Sequence, residues 1–168
     1  MFLTLEVITV FLVAVAMSMA LAHALEFPGK QRLNKETYMA VQTIYYPGFT
    51  LGGIGEPLAA IATLILLIVM RGRGAAFWWT FAAFIALAAM HAVFWFVTQP
   101  TNRFWLKNQE MSKAGSRFFA VDQLNQSASN ENGDQDWKRF RDRWEYSHLV
   151  RAVLSGIALI AVVVAVAT

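Results

Sequence analysis

Four long, strongly apolar stretches without a charged residue constrain the fold of this chain more than any other feature of its sequence. They cover residues 7–22, 57–70, 75–99 and 152–168. A helix needs roughly 20 mostly apolar residues to cross the hydrocarbon core of a bilayer. The sequence therefore predicts an all-α fold, a four-helix transmembrane bundle whose solvent is the lipid bilayer.

We predict spans at residues 2–25, 51–70, 75–98 and 148–167, with a polar loop at 99–147 between the last two. Together they form a single domain, residues 1–168. The first span is not a convincing cleaved signal peptide, because it lacks a basic leader and its apolar stretch is too long. We expect it to remain as a helix of the mature protein.

The absence of cysteine and the small net charge exclude several kinds of site. The chain has no cysteine, so it forms no disulfide and holds no metal through thiolate ligands. Its net charge is +3 and its cations are spread through the loops, so we expect no nucleic acid partner.

An even number of spans places both termini on one face of the membrane, here called the terminal side. The longer connections, residues 26–50 and 99–147, then lie on the opposite face, here called the loop side. Most basic residues belong to the loop side: Lys30, Arg32, Lys35, Arg103, Lys107, Lys113, Arg117, Lys138, Arg139, Arg141 and Arg143. The terminal side has Arg71 and Arg73. The positive-inside rule therefore places the long loops in the cytoplasm.

The first connection contains the pattern of a short amphipathic helix. Asn34 suits the N-cap, Glu36 the first turn, and Pro47 ends the helix. One stripe carries Tyr38, Val41 and Tyr45. We interpret it as an interfacial helix with its tyrosines at the level of the lipid headgroups.

Two further segments bear on the helix ends. Residues 48–57 contain four glycines, so either the second span starts near Glu56 or this segment dips into the membrane against protein. Residues 126–133 are polar and predict a loop. After them, Asp134 and Asp136 suit a helix start, which predicts one long fourth helix over about residues 135–167.

Ionisable residues inside spans are costly, so each of them needs a reason. The three histidines, His23, His91 and His148, fall on three different spans. The predicted topology places all of them in the loop-side half of the membrane, and the same half holds three further ionisable residues: Glu26, Glu56 and Arg151.

Helical spacing aligns these residues with aromatic side chains. On the fourth helix one stripe has the spacing 4, 3, 4, 3, 4 and consists of Trp137, Arg141, Trp144, His148, Arg151 and Ser155. Such a stripe must face protein or a wet cavity. The first helix aligns Met19, His23 and Glu26, and the third aligns Phe84, Leu87, His91, Phe94 and Trp95. We expect these faces to converge on a partly polar pocket open to the loop side, where Trp137, Trp95 and Tyr45 would contact a cofactor.

Several kinds of chemistry fit this set of residues. An iron, copper or zinc site could draw its ligands from His23, Glu26, Glu56, His91 and His148. A bis-histidine haem b has weaker support. Without a cofactor, a histidine could act as general base towards an acidic phenol or enol while Arg151 holds the anion. The simpler interpretation is that the histidines are hydrogen-bonded, the tryptophans form an interfacial belt and Arg141 pairs with a neighbouring acid.

Two motifs resemble a known family. They are Pro100-Thr101-Asn102 after the third span and the run of Trp137, Arg141, Arg143, Trp144, His148 and Arg151. With four spans, they resemble the anthrone oxygenase-like family of small membrane proteins, which mostly have no assigned function. Named members oxidise anthrones to anthraquinones. The resemblance implies roles in substrate or oxygen chemistry for His148, Arg151, Trp144 and Arg141, and for His23 by its position. The polar insertion before Trp137 and the glycine-rich start of the second span depart from it.

Two hypotheses of different classes follow. The first is an oxygenase-like or redox-associated membrane enzyme acting on a small aromatic, quinol-like or lipophilic substrate, in which His148→Ala abolishes activity without removing the protein from the membrane. The second is a non-enzymatic accessory subunit of a larger membrane complex, or of a homo-oligomer, whose loops form a docking surface. A transporter has less support, because no pair of broken helices is present.

Overall fold

A computed structural model describes residues 2–45, 47–105 and 133–168 of the chain. The regular elements in these ranges are all helical: α1 (Phe2–Lys30), α2 (Lys35–Gln42), α3 (Gly48–Gly52), α4 (Gly55–Val69), α5 (Ala75–Val93), α6 (Gln99–Trp105) and α7 (Gly133–Ala167). A 3-10 turn at Thr43–Tyr45 follows α2, and a π-helical turn at Phe94–Thr98 joins α5 to α6. Of the polar loop predicted at residues 126–133, residues 126–132 lie outside the described residues and Gly133 begins α7.

Among the described residues, four helical segments are long and apolar enough to cross a membrane. They are Phe2–Lys30, Gly48–Val69, Ala75–Asn102 and Trp137–Ala167. The chain is an integral membrane protein, and the predicted all-α bundle of four spans is confirmed. The long fourth helix is confirmed as well, since α7 runs without interruption from Gly133.

The four long helices form a square in which each packs against two neighbours. Both α1 and α5 pack against α4 and α7. Small side chains fill the centre, where Ala16, Ala59, Ala83 and Ala158 are fully buried. Small residues let helix backbones approach closely, which drives packing where lipid removes the hydrophobic effect between helices. Leu66, Met70 and Met90 are buried among them, whereas many other large apolar side chains face outward, including Phe11, Ile61, Ile85 and Ile160.

Glycine is required at two places that set the arrangement of α4. The turn to α5 holds Gly72 and Gly74 at φ values of 82° and 56°, in the left-handed region that favours glycine. At the other end, a Cβ on Gly55 would lie 3.1 Å from Cγ1 of Val15, so its absence lets α4 approach α1. Since α4 begins at Gly55, Glu56 lies in its first turn, and the short helix α3 precedes it.

The first helix extends beyond the predicted end of its span at residue 25 and continues to Lys30. Lys30 lies one turn after Glu26, and its ammonium nitrogen is 2.8 Å from a carboxylate oxygen of that residue. This pairing and the burial of Lys30 stabilise the additional turn, which the sequence pattern assigned to the first loop.

The predicted helix in the first connection is α2, but its tyrosines face protein rather than headgroups. Asn34 caps α2 as predicted, accepting a hydrogen bond from the Thr37 N–H at 2.9 Å. Tyr38 and Tyr45 are 0% and 8% exposed, so both side chains are buried within the protein, and their depth in the membrane stays a prediction. The reason for their burial is chemical, because each phenol finds a carboxylate acceptor inside the bundle. Tyr38 donates to Glu145 at 2.8 Å, and Tyr45 donates to Glu26.

Candidate functional site

A cavity of about 450 Å³ lies in the loop-side half of the bundle. His23, His91 and His148 all line it, so the three histidines lie around one space. Its charged lining comes from Glu56 and Arg151. Its walls are otherwise largely apolar and aromatic, with contributions from Met19, Phe49, Leu51, Ile54, Phe94, Trp95 and Trp144.

The stripe along α7 supplies one wall of this cavity. All six of its members are buried: Trp137, Arg141, Trp144, His148, Arg151 and Ser155. Their burial agrees with the spacing argument, since alternating steps of three and four residues keep side chains on one helical face. Only Trp144, His148 and Arg151 of this stripe reach the cavity.

The hydrogen bonds of His148 define its protonation. Its Nδ1 lies 3.0 Å from the carbonyl oxygen of Trp144, and its Nε2 lies 3.2 Å from a guanidinium nitrogen of Arg151. A carbonyl oxygen can only accept and a guanidinium can only donate. His148 is therefore a neutral imidazole with its proton on Nδ1, and both of its nitrogens are engaged.

A chain of polar groups continues from Arg151 across the bundle. Arg151 pairs with Glu56 at the start of α4. The second oxygen of Glu56 lies 3.9 Å from Nδ1 of His91 on α5. Nε2 of His91 in turn accepts a hydrogen bond from the Trp95 indole at 2.9 Å. Residues from α4, α5 and α7 are thus linked around the buried carboxylate of Glu56.

His23 differs from His148 because aromatic contacts, rather than hydrogen bonds, hold its ring. Its centroid lies 4.2 Å from that of His148, 4.5 Å from Phe49, 4.6 Å from Tyr45 and 5.0 Å from Trp144. Its Nδ1 is buried, has no hydrogen-bond partner among the described residues, and lies 3.8 Å from a Glu26 oxygen.

A second polar cluster lies behind this wall, around the buried Lys30. The Lys30 ammonium lies 3.7 Å from Glu145 and stacks over the rings of Tyr45 and Trp144, at 4.5 Å and 4.7 Å from their centroids. Sequence reasoning missed this role and counted Lys30 among the loop cations. The available signal was its spacing of four residues from Glu26, which is typical of a helical ion pair.

The two buried tyrosines outside the spans remain protonated donors. Burial raises the pKa of the Tyr45 phenol, and its hydrogen bond to Glu26 raises it further. Burial likewise raises the pKa of Tyr38, where the negative charge of Glu145 acts in the same direction. Both phenols therefore donate to carboxylates at neutral pH, and they fasten the α2 region over the bundle.

Three of the predicted site residues do not line the cavity. Arg141 donates to Asp142 at 2.8 Å and lies 5.2 Å over the ring of Trp137. Trp137 packs against Tyr38, with ring centroids 6.1 Å apart. Glu26 stands behind His23 rather than in the lining.

Asn102 lines the cavity, and sequence reasoning gave it no role. Its side-chain oxygen accepts a hydrogen bond from the Trp144 indole at 2.7 Å. Asn102 closes the Pro100-Thr101-Asn102 motif, and Trp144 belongs to the run on α7. The two motifs that carried the family resemblance are therefore in direct contact, which the sequence alone could not indicate.

The residues predicted to bind a metal form two pairs rather than one shell. His23 lies beside Glu26, and His91 lies beside Glu56. In the part of the chain that the structure describes, no three histidine or acidic side chains are grouped to hold a metal ion. Since both nitrogens of His148 are already engaged, iron, copper or haem b binding stays a prediction that would need ligands to rearrange.

Comparison with protein families identifies the family to which this chain is similar. The sequence model of a family described as anthrone oxygenase matches residues 49–161. The matched range includes four ionisable residues of the cavity, namely Glu56, His91, His148 and Arg151, whereas His23 precedes it. The comparisons with curated proteins and with solved structures found no match.

Proposed function

Because this chain belongs to the anthrone oxygenase family, we propose that it is a membrane-embedded oxygenase that oxidises a small aromatic substrate in the loop-side cavity. One observation carries the proposal. A buried guanidinium, Arg151, lies beside a neutral imidazole at one wall of a cavity that is otherwise largely apolar and aromatic. This combination suits an aromatic compound that becomes an oxyanion during reaction.

The size and walls of the cavity support the class of substrate. About 450 Å³ falls in the usual range for sites that enclose a small organic molecule. Phe49 and Phe94 offer ring faces or edges to a flat aromatic body. The phenolic or enolic oxygen of that body would lie towards Arg151. A fused-ring anthrone, which carries both a ring CH₂ group and an enolisable oxygen, fits this description.

The proposed reaction converts a ring CH₂ group and one O₂ into a carbonyl group and one water. An imidazole removes a proton from the CH₂ carbon, which leaves an electron-rich enolate. The enolate transfers an electron to O₂, and a C–O bond forms to give a hydroperoxide after a proton returns. Loss of water from the hydroperoxide leaves the C=O group. One oxygen atom stays in the product and the other leaves as water, with O₂ as the oxidant.

His23 is the best-placed general base. Its Nδ1 faces Glu26, so a proton on Nδ1 would be stabilised by that carboxylate and Nε2 would carry the lone pair. His148 cannot act in this way without losing its hydrogen bonds to Trp144 and Arg151. We assign His148 instead to orienting Arg151, which stabilises the enolate oxygen.

Substitution of the two histidines tests the proposal. In proteoliposomes supplied with a hydroxyanthrone, we expect His23→Phe, which keeps a flat ring, to lower oxygen uptake by about 100-fold or more, since a general base contributes at least that much. His148→Ala should abolish turnover while the protein stays in the membrane. Ser18→Ala is the matched α1 control, because that exposed hydroxyl bonds only to the Ala14 carbonyl.

The alternatives give different results in the same preparation. Full turnover by His23→Phe would overturn the base assignment. Wild-type protein that takes up no oxygen with an anthrone would overturn the oxygenase function. Fixed partner proteins that co-purify would then favour an accessory subunit. Stoichiometric iron or copper, together with loss of activity on chelation, would favour a metal-dependent reaction.

A further inference from the structure

We infer that the substrate reaches the cavity sideways from the bilayer, through an opening between the start of α4 and the end of α5. The substrate of this protein is therefore an aromatic compound dissolved in the membrane rather than one dissolved in water. The aromatic class rests on the function proposed above, whereas the route follows from the cavity itself.

The exposure of the lining residues indicates where the cavity opens. Among the described residues that line it, three are exposed: Leu51, Ile54 and Trp95, at 63%, 53% and 46%. All three are apolar or aromatic. Leu51 and Ile54 lie at the start of the second span, and Trp95 lies in the π-helical turn of the third. We call this set the portal.

The portal continues into the surface that faces lipid. On α4, Leu58 and Ile61 follow Ile54 and are also exposed. Beside Trp95, Phe96 is one of the most exposed large side chains of the chain. An apolar compound dissolved among the acyl chains would meet this surface before it met water.

Helix packing accounts for the position of the portal. After their tight turn on the terminal side, α4 and α5 pack against each other. Near the loop side, the π-helical turn packs against α7. A π-helical turn shifts the register of a helix and often occurs at functional sites. His91 holds Trp95 at the rim of the portal through the bond between its Nε2 and the indole.

The end of the cavity nearest the aqueous loop side is covered by buried residues. Gln42 and Tyr45 line the cavity from the α2 region, and both are buried. The phenols of Tyr45 and Tyr38 fasten this region to Glu26 and Glu145. A molecule arriving from water through these residues would have to break those hydrogen bonds, whereas the portal requires no such change.

A binding experiment tests the route without depending on turnover. A hydroxyanthraquinone, which resembles the expected product and does not react, is mixed with proteoliposomes, and its association is followed by absorbance. We expect Ile54→Trp to slow association roughly tenfold, because it narrows the portal and so lowers the on-rate. Ile61→Trp is the matched control, since Ile61 lies on the same span about two turns beyond the portal and is 54% exposed.

Two further arms distinguish lipid from water as the source. When lipid is added at constant total probe, bound probe should fall with its mole fraction in the bilayer. A sulfonated hydroxyanthraquinone, which stays in water, should not bind. Equal association rates for both tryptophan variants, or fast binding of the sulfonated probe, would overturn the inference. Loss of oxygen uptake with normal binding would instead count against the proposed function alone.

Discussion

At the scale of single residues, the ion pair between Glu56 and Arg151 is the most consequential interaction of the site. Both side chains are buried, so each depends on the other to offset its desolvation. We expect Glu56→Gln to lower the free energy of unfolding by about 3–5 kcal/mol, because it leaves a guanidinium buried without its counter-ion. Unfolding in mixed detergent micelles measures the change.

A double substitution separates the contribution of the ion pair to stability from that of side-chain packing at these two positions. With Glu56→Met and Arg151→Met together, no charge remains buried, and most of the lost stability should return while activity does not. Glu6→Gln on α1, outside the cavity, serves as the control for a charge change alone. A Glu56→Gln protein as stable as wild type would show that the pair does not hold the bundle together.

Charged and polar site residues could be predicted from the sequence where they interrupt apolar runs. His91, His148 and Arg151 stand out in that way, and all three line the cavity. The bond between Tyr38 and Glu145 joins residues 107 positions apart. No local pattern encodes such a distant pairing, so it had to come from the packed structure.

At the scale of the helices, the close approach of α1 and α4 depends on Gly55. We expect Gly55→Leu to push these helices apart and to cost about 1–3 kcal/mol, as overpacking does. Gly29→Leu on α1 is the matched control, because outside the adjoining helix backbone no atom of the described residues lies within 4 Å of a Cβ there. Thermal unfolding in detergent should show a lower midpoint for the Gly55 variant only. Equal midpoints would show that the helix contact adapts.

The number and positions of the membrane spans could be predicted from the charge-free stretches. What the α2 region packs against could not. The stripe of Tyr38, Val41 and Tyr45 is the same whether it faces headgroups or protein. The tyrosines face protein because α1 and α7 place the carboxylates of Glu26 and Glu145 within hydrogen-bonding distance of them. Amphipathic patterns report a polarity difference between two faces and not the identity of the apolar partner.

At the scale of the whole molecule, the orientation in the membrane remains a prediction of the positive-inside rule. The chain has no cysteine, so single cysteines report their side without a background. Glu36→Cys on α2 and Thr168→Cys at the C-terminus are both at exposed positions. In intact cells, an impermeant maleimide should label only the Thr168→Cys protein. Labelling of Glu36→Cys instead would place the long loops outside.

The alanine-filled centre has a consequence for how this protein could be redesigned. Ala16, Ala59, Ala83 and Ala158 all lie on the terminal side of the site residue in their own helix. The bundle is therefore closely packed at the terminal side and encloses the cavity at the loop side. Substitutions that enlarge the cavity for bulkier substrates need not disturb the alanine contacts on the terminal side. New substrate specificities could therefore be selected without changing how the four helices pack.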